Sequence, residues 1–180
     1  MKKYQTFPIL ILLIASVALF MSCSSTNKVK TAKKASATIS GTEKDTSVSG
    51  TATFVQAYGK VKMVLNLYIP SKANSSVAVH LHEMGACGNM GKDAHGHWNP
   101  TNQQHGKWGS ASFHLGDIGN VALDAQGHGS MELVTSLWTI GGNANNNILG
   151  RSVIVHSGMD DYVSQPAGNA GSRIGCGVIQ

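Results

Sequence analysis

The chain has 180 residues, 42% of them apolar, and a formal net charge of +5. One domain is the simplest division of that length, and the composition is ordinary for a globular protein. The basic excess lies near the N-terminus, in Lys2, Lys3, Lys28, Lys30, Lys33 and Lys34; without these six, eight basic residues face nine acidic ones, a balance of −1. Recognition of nucleic acid through net charge is therefore excluded, because the surplus belongs to a tail and not to a folded face.

Residues 1–22 read as an export signal. Lys2 and Lys3 form a charged start, and Pro8 to Phe20 is an apolar run too short for a comfortable membrane span. Met21-Ser22-Cys23 resembles a bacterial lipoprotein cleavage box, in which the cysteine is lipidated and becomes the new N-terminus. Simple secretion is the alternative. On either route the domain leaves the cytoplasm, on the periplasmic side or the surface of the envelope, and disulfides become permissible. Residues 23–35 read as a polar tether behind a lipid anchor in the membrane, and the folded domain is expected over residues 36–180.

From about Ala37 the pattern is β. Gly50 to Ala57 is rich in Thr, Val and Phe, and Val61, Met63, Leu65, Leu67 and Ile69 mark one buried face of a second strand. Tyr58-Gly59 between them suits a hairpin. Later strands are expected over Gly119–Leu123, Gly129–Val134, Ile148–His156 and Ile174–Ile179, with Asp124-Ala125-Gln126-Gly127 turning like a hairpin. No window sustains a helical period. Seven or eight short strands suggest a sandwich or Greek-key barrel with long loops on one side.

Between those groups, Val77 to Asp117 holds six of the eight histidines. In Val77-Ala78-Val79-His80-Leu81-His82, strand alternation puts His80 and His82 on one face and Val77, Val79 and Leu81 on the other. A long Gly- and Asn-rich loop follows, carrying His97, His105, His114 and Asp117. Loops of that length are usually functional or disordered, and repeated nitrogen and oxygen donors suggest that metal holds this one. His156 closes a later strand; if that strand lies beside the first, three imidazoles converge. Imidazole suits zinc and copper, and three imidazoles with a carboxylate satisfy tetrahedral zinc. One histidine can serve both, with a metal at each ring nitrogen.

The motifs His80-Leu81-His82, Gly96-His97-Trp98-Asn99-Pro100, His105-Gly106, His114-Leu115-Gly116-Asp117-Ile118-Gly119-Asn120, Val155-His156 with Asp160-Asp161, and Gly168 to Arg173 before Cys176-Gly177 occur in that order. In this the chain resembles the copper–zinc superoxide dismutases, of the bacterial secreted or lipoprotein type. The resemblance implies an eight-stranded, immunoglobulin-like Greek-key barrel that dismutates superoxide to oxygen and hydrogen peroxide. Copper would be held by His80, His82, His97 and His156, and zinc by His97, His105, His114 and Asp117. His97 would bridge the metals and carry a proton. Asp160 would bond one histidine of each set, Arg173 would attract the anionic substrate, and Cys87 and Cys176 would form a disulfide, which leaves Cys23 for lipid. A homodimer is compatible with the family, although the short run Glu83 to Ala86 argues against assuming the eukaryotic dimer contact. The segment Asp161 to Gly171 has no lysine, which leaves Arg173 as its main positive charge.

Plainer readings exist for single residues. His95 and His128 match no ligand motif and are taken as exposed, with His95 as a spare ligand at most. Trp98 and Trp108 read as loop anchors, and Asn143 to Asn147 as a polar loop. Two other functions also use this pattern: a metal-storing lipoprotein on the same fold, and a different HxH sandwich such as a cupin or an α-type carbonic anhydrase. Retention of Arg173 speaks against the first, and the spacing of the zinc loop against the second.

Overall fold

The structure is a computed structural model that describes residues 1–3, 32–43, 47–142 and 145–180. The apolar run, Cys23 and the tether up to residue 31 lie outside the described residues. Among the described residues there are eight strands: β1 (Lys33–Gly41), β2 (Ser49–Ala57), β3 (Lys60–Tyr68), β4 (Ser76–His82), β5 (Gly119–Ala122), β6 (His128–Thr135), β7 (Ser152–His156) and β8 (Arg173–Val178). Every pairing is antiparallel, and the order β5-β4-β7-β8-β1-β2-β3-β6 curls into a nearly closed barrel.

Alternation sets the inside of the barrel. Ala35, Ala37 and Ile39 of β1, Ala52 and Phe54 of β2, and Val61, Met63, Leu65 and Leu67 of β3 are buried, while most of their neighbours face solvent. Removing such side chains from water is the main favourable term in folding. Tyr58 and Gly59, with φ of 49° and 74°, form the two-residue turn between β2 and β3, which pair from Ala57↔Lys60 onward. That φ > 0 geometry matches the twist of hairpin strands.

Three elements differ from the expected pattern. Lys33 and Lys34, assigned to the tether, open β1; they extend the alternation of Ala35, Ala37 and Ile39, and Lys33 Nζ donates to the Ile140 carbonyl at 3.0 Å. The strand expected from Ile148 begins only at Ser152, because Gly150 (φ 74°) turns the chain and Arg151 N–H bonds back to Ile148 O at 3.2 Å. Asp124 to Gly127 forms its turn, but β5 and β6 lie at opposite ends of the sheet order. Backbone groups around that turn bond instead to the β3–β4 connection: Leu123 N–H to Ser75 O, Asn74 N–H to Asp124 O, and Ile69 N–H to Gly127 O.

β4 and β7 are buried on both faces. Val77, Val79, Leu81, Val153 and Val155 point into the barrel core. The long loop of residues 83–118 covers the outer side, where the histidines lie.

Candidate metal centre

β4 and β7 are neighbours, with His80 opposite Ile154 and His82 opposite Ser152. A bulge between Val155 and His156 shifts the register and sets His156 opposite Arg173 of β8. Bulges re-aim side chains in this way at strand ends. The long loop returns against β4: Trp98 N–H bonds Leu81 O at 2.8 Å, Leu81 N–H bonds Gly116 O at 2.9 Å, and Gly116 N–H bonds Trp98 O at 2.9 Å. Trp98 is buried in the core as expected, and the partly buried Trp108 packs against Phe113 and Trp138. Trp138, which the sequence pattern did not single out, is fully buried and donates from Nε1 to Leu115 O at 2.9 Å, tying the loop to the barrel floor.

Two buried clusters result. His80, His82, His97 and His156 form one; His97, His105, His114 and Asp117 form the other; within each, the candidate donor atoms lie within 4.8 Å of one another. Six buried ring nitrogens lack a hydrogen-bond partner among the described residues: His80 Nδ1, His82 Nε2, His97 Nε2 and His156 Nε2 in the first cluster, and His105 Nδ1 and His114 Nδ1 in the second. Unpaired buried polar atoms are rare and costly, and six converging on two points are the signature of ligand sites. His97 belongs to both clusters, because its Nδ1 faces Asp117 Oδ1 at 2.8 Å. Asp117 also stands 3.0 Å from His105 Nδ1 and 3.2 Å from His114 Nδ1. Tetrahedral zinc with bonds of about 2.0–2.1 Å has ligand–ligand edges of about 3.3 Å, and the three contacts that Asp117 makes are close to that length.

The remaining nitrogens are fixed from outside. His80 Nε2 bonds Asp160 Oδ2 and His105 Nε2 bonds Asp160 Oδ1, both at 2.9 Å, so one buried carboxylate spans the clusters. His82 Nδ1 bonds His95 O at 2.8 Å, His156 Nδ1 bonds Gly171 O at 3.3 Å, and His114 Nε2 bonds Gln103 O at 3.1 Å. Such partners set the tautomer and aim of a metal-binding imidazole. The loop that carries Asp160 is shaped for it. Gly168 has φ 65°, and a Cβ there would overlap the Asp160 carboxylate and sit 2.6 Å from His105 Nε2. Asn120 clasps the Asp160 backbone, donating to its carbonyl and accepting from its N–H. Gln165 holds the His105 backbone at 2.9 and 3.0 Å. The roles of Asn120 and Gln165 were not legible in the sequence.

Electrostatics follow from that packing. Burial lowers His82, and it pulls His97 to about 4 and His156 to about 3, with neighbouring imidazoles adding to the effect. Neutral imidazole is the form that binds metal. His105 is also penalised by burial, but the Asp117 and Asp160 carboxylates on either side of its ring outweigh that and raise the group to about 9. Burial opposes ionisation of both carboxylates, yet the histidines around them hold Asp117 and Asp160 well below the usual range.

Arg173 is half-buried at the rim, where its Nη1 donates to Gly91 O at 2.6 Å and its Nη2 to His95 O at 2.5 Å. It lines a cleft with Glu43, Met90, Lys92, Gly171 and Ser172. Lys92 went unnoticed in the sequence; it lies near Arg173 because the disulfide loop folds back onto β8. The Cys87–Cys176 disulfide fastens that loop, with a Cα–Cα distance of 5.7 Å. His95 and His128 are exposed and join neither cluster.

Fold and site together define an all-β protein with two metal-sized clusters that share one histidine. The profile of the copper/zinc superoxide dismutases matches residues 48–179. A copper–zinc superoxide dismutase of Aquifex aeolicus is 36% identical, over 82% of this chain and 86% of that protein. That of Schizosaccharomyces pombe is 36% identical, over 75% and 91%. The crystal structure of the clock protein EA4 is similar with a TM-score of 0.72 and 31% identity, covering 81% of this chain and 92% of that one. The chain belongs to the copper/zinc superoxide dismutase family. Copper and zinc are the metals that its two clusters fit.

Proposed function

We propose that the protein dismutates superoxide at copper held by His80, His82, His97 and His156, beside zinc held by His97, His105, His114 and Asp117. The convergence of six unpartnered buried nitrogens on two points carries this reading. Copper, when bound, supplies a one-electron couple that one superoxide reduces and a second reoxidises, giving oxygen and then hydrogen peroxide; zinc supplies fixed positive charge. Arg173 attracts the anion and orients it with rigid donors that stay charged at any working pH. Lys92 adds positive charge in the same cleft. His97 would hold one proton at Nε2 and pass it to the peroxide product, whose second proton would come from solvent. Asp160 keeps His80 and His105 aimed, so both clusters respond to one carboxylate.

Purified protein titrated with both metals should bind one copper and one zinc per chain and gain superoxide-dependent activity, lost on chelation and restored by copper. Copper loading without activity would favour the metal-storing alternative. The protein further acts outside the cytoplasm, protecting the envelope, with Cys23 lipidated at the end of a signal peptide; Lys2, Lys3, the apolar run and the Ser22-Cys23 junction support this. Cys23→Ser should then release the protein from membranes with unchanged activity per mole. Persistent membrane association would count against the anchor.

A further inference from the structure

His95 joins neither cluster, yet its backbone touches both the copper side and the arginine. It follows the short 3-10 turn Lys92–Ala94 and has φ 62° and ψ −148°. That region is essentially confined to glycine, because a Cβ there crowds the backbone. Three successive carbonyls in this segment are all engaged. Ala94 O accepts from Met84 N–H and Gly96 O from Glu83 N–H, both at 3.1 Å. Between them, His95 O accepts from His82 Nδ1 at 2.8 Å and from Arg173 Nη2 at 2.5 Å.

We infer that His95 is a positioning residue whose strained peptide couples Arg173 to the copper-side histidine His82. The inference rests on the proposed copper cluster. A non-glycine residue relaxes out of this conformation unless something holds its carbonyl in place. Two donors hold it, one from the histidine and one from the guanidinium. With the arginine gone, the His82 bond is the one donor left on that carbonyl; the flanking bonds at Ala94 and Gly96 keep the loop in place while the strained carbonyl itself turns away. His82 then loses the acceptor that fixes its ring, and its Nε2 drifts from the cluster. Glycine at position 95 removes the strain, so the His82 bond survives without Arg173. The side chain of His95 plays no part in this; only its Cβ matters.

The test compares Arg173→Ile in three backgrounds: unmutated, His95→Gly and His95→Ala. Copper(II) affinity is measured by chelator competition on zinc-loaded protein, and the copper(II) EPR spectrum is recorded alongside. Loss of an outer partner of a metal-binding histidine typically costs about 10–100-fold in affinity. Arg173→Ile should therefore weaken copper binding about 10-fold and change the hyperfine pattern in the unmutated and His95→Ala backgrounds. In the His95→Gly background the loss should be under about 2-fold, with the spectrum unchanged. Zinc affinity should stay constant throughout. Equal losses in all three backgrounds, or no loss in the unmutated one, would overturn the coupling while leaving the copper reading intact. A weak response in His95→Ala would assign the effect to the imidazole and overturn the strain argument. Absence of copper binding in unmutated protein would overturn the metal reading, and the coupling with it.

Discussion

Asp160→Asn separates a shared support from two independent sites. The carboxylate is 2% exposed and accepts from His80 Nε2, His105 Nε2 and Tyr162 N–H at 2.7–2.9 Å. An amide of the same shape keeps one acceptor and turns a donor toward the other imidazole. Each cluster thus has a histidine that depends on Asp160, and copper and zinc affinities should both fall by about 10–100-fold, or about 1.4–2.7 kcal/mol each. Chelator competition for each metal measures this. Loss confined to one metal would refute the bridging role. The metal-free protein offers a second readout. His105 is raised from 6.5 to about 9, so the stability it contributes is fully present below pH 6.5 and disappears as pH rises through 9. That rise corresponds to about 3 kcal/mol, shared between Asp117 and Asp160. Urea melts of the metal-free variant between pH 6 and 9.5 should show a clearly smaller pH dependence. His97 and His156 have the opposite sign: their burial as neutral rings stabilises above pH 6.5 and is lost as pH falls toward 4 and 3. That acid limb should persist in Asp160→Asn.

Asp117→Ala should deplete zinc far more than copper in metal analysis, since Asp117 faces His97, His105 and His114 but no nitrogen unique to the copper set; equal loss of both would refute that division. With metals saturating, Arg173→Ile should lower kcat/KM by about 10-fold, or about 1.4 kcal/mol. Lys92→Glu should lower it by about 2–5-fold at low salt, with the difference shrinking at high ionic strength; full activity with unaltered salt dependence in both variants would deny the cleft a steering role. Replacing Cys87 and Cys176 together by Ser should destabilise the protein to denaturant. The bridge spans 89 residues, for which chain entropy predicts about 4–5 kcal/mol. A change below about 1 kcal/mol would mean that the loop is held by its other contacts.

Alternation along β2, β3 and β4 is a local property, so the inner face of the barrel was legible in the sequence. The donor types were equally plain, because imidazole and carboxylate chemistry belongs to the residue itself. His80 and His82 share a face by strand geometry alone. The neighbouring position of β7, and the bulge that aims His156, depend on pairings across some 75 residues of chain, which no local pattern encodes. Asp124 to Gly127 shows the converse: the turn chemistry was readable, but competition for its backbone groups by the segment around Ile69 to Ser75 decided that no ladder follows. Lys33 and Lys34 were misread because lysine is common to tethers and to exposed strand positions, and only the partner strand distinguishes them. Gln165 and Asn120 act through hydrogen bonds to residues 60 and 40 positions away, and Lys92 lines a cleft with Arg173, far along the chain, so their polar side chains looked like ordinary loop surface. Composition and period determined which side chains could build a barrel and bind metal. Long-range closure of the loops over β4 and β7 decided which nitrogens meet, because convergence in space is a property of the packed chain and not of any segment within it.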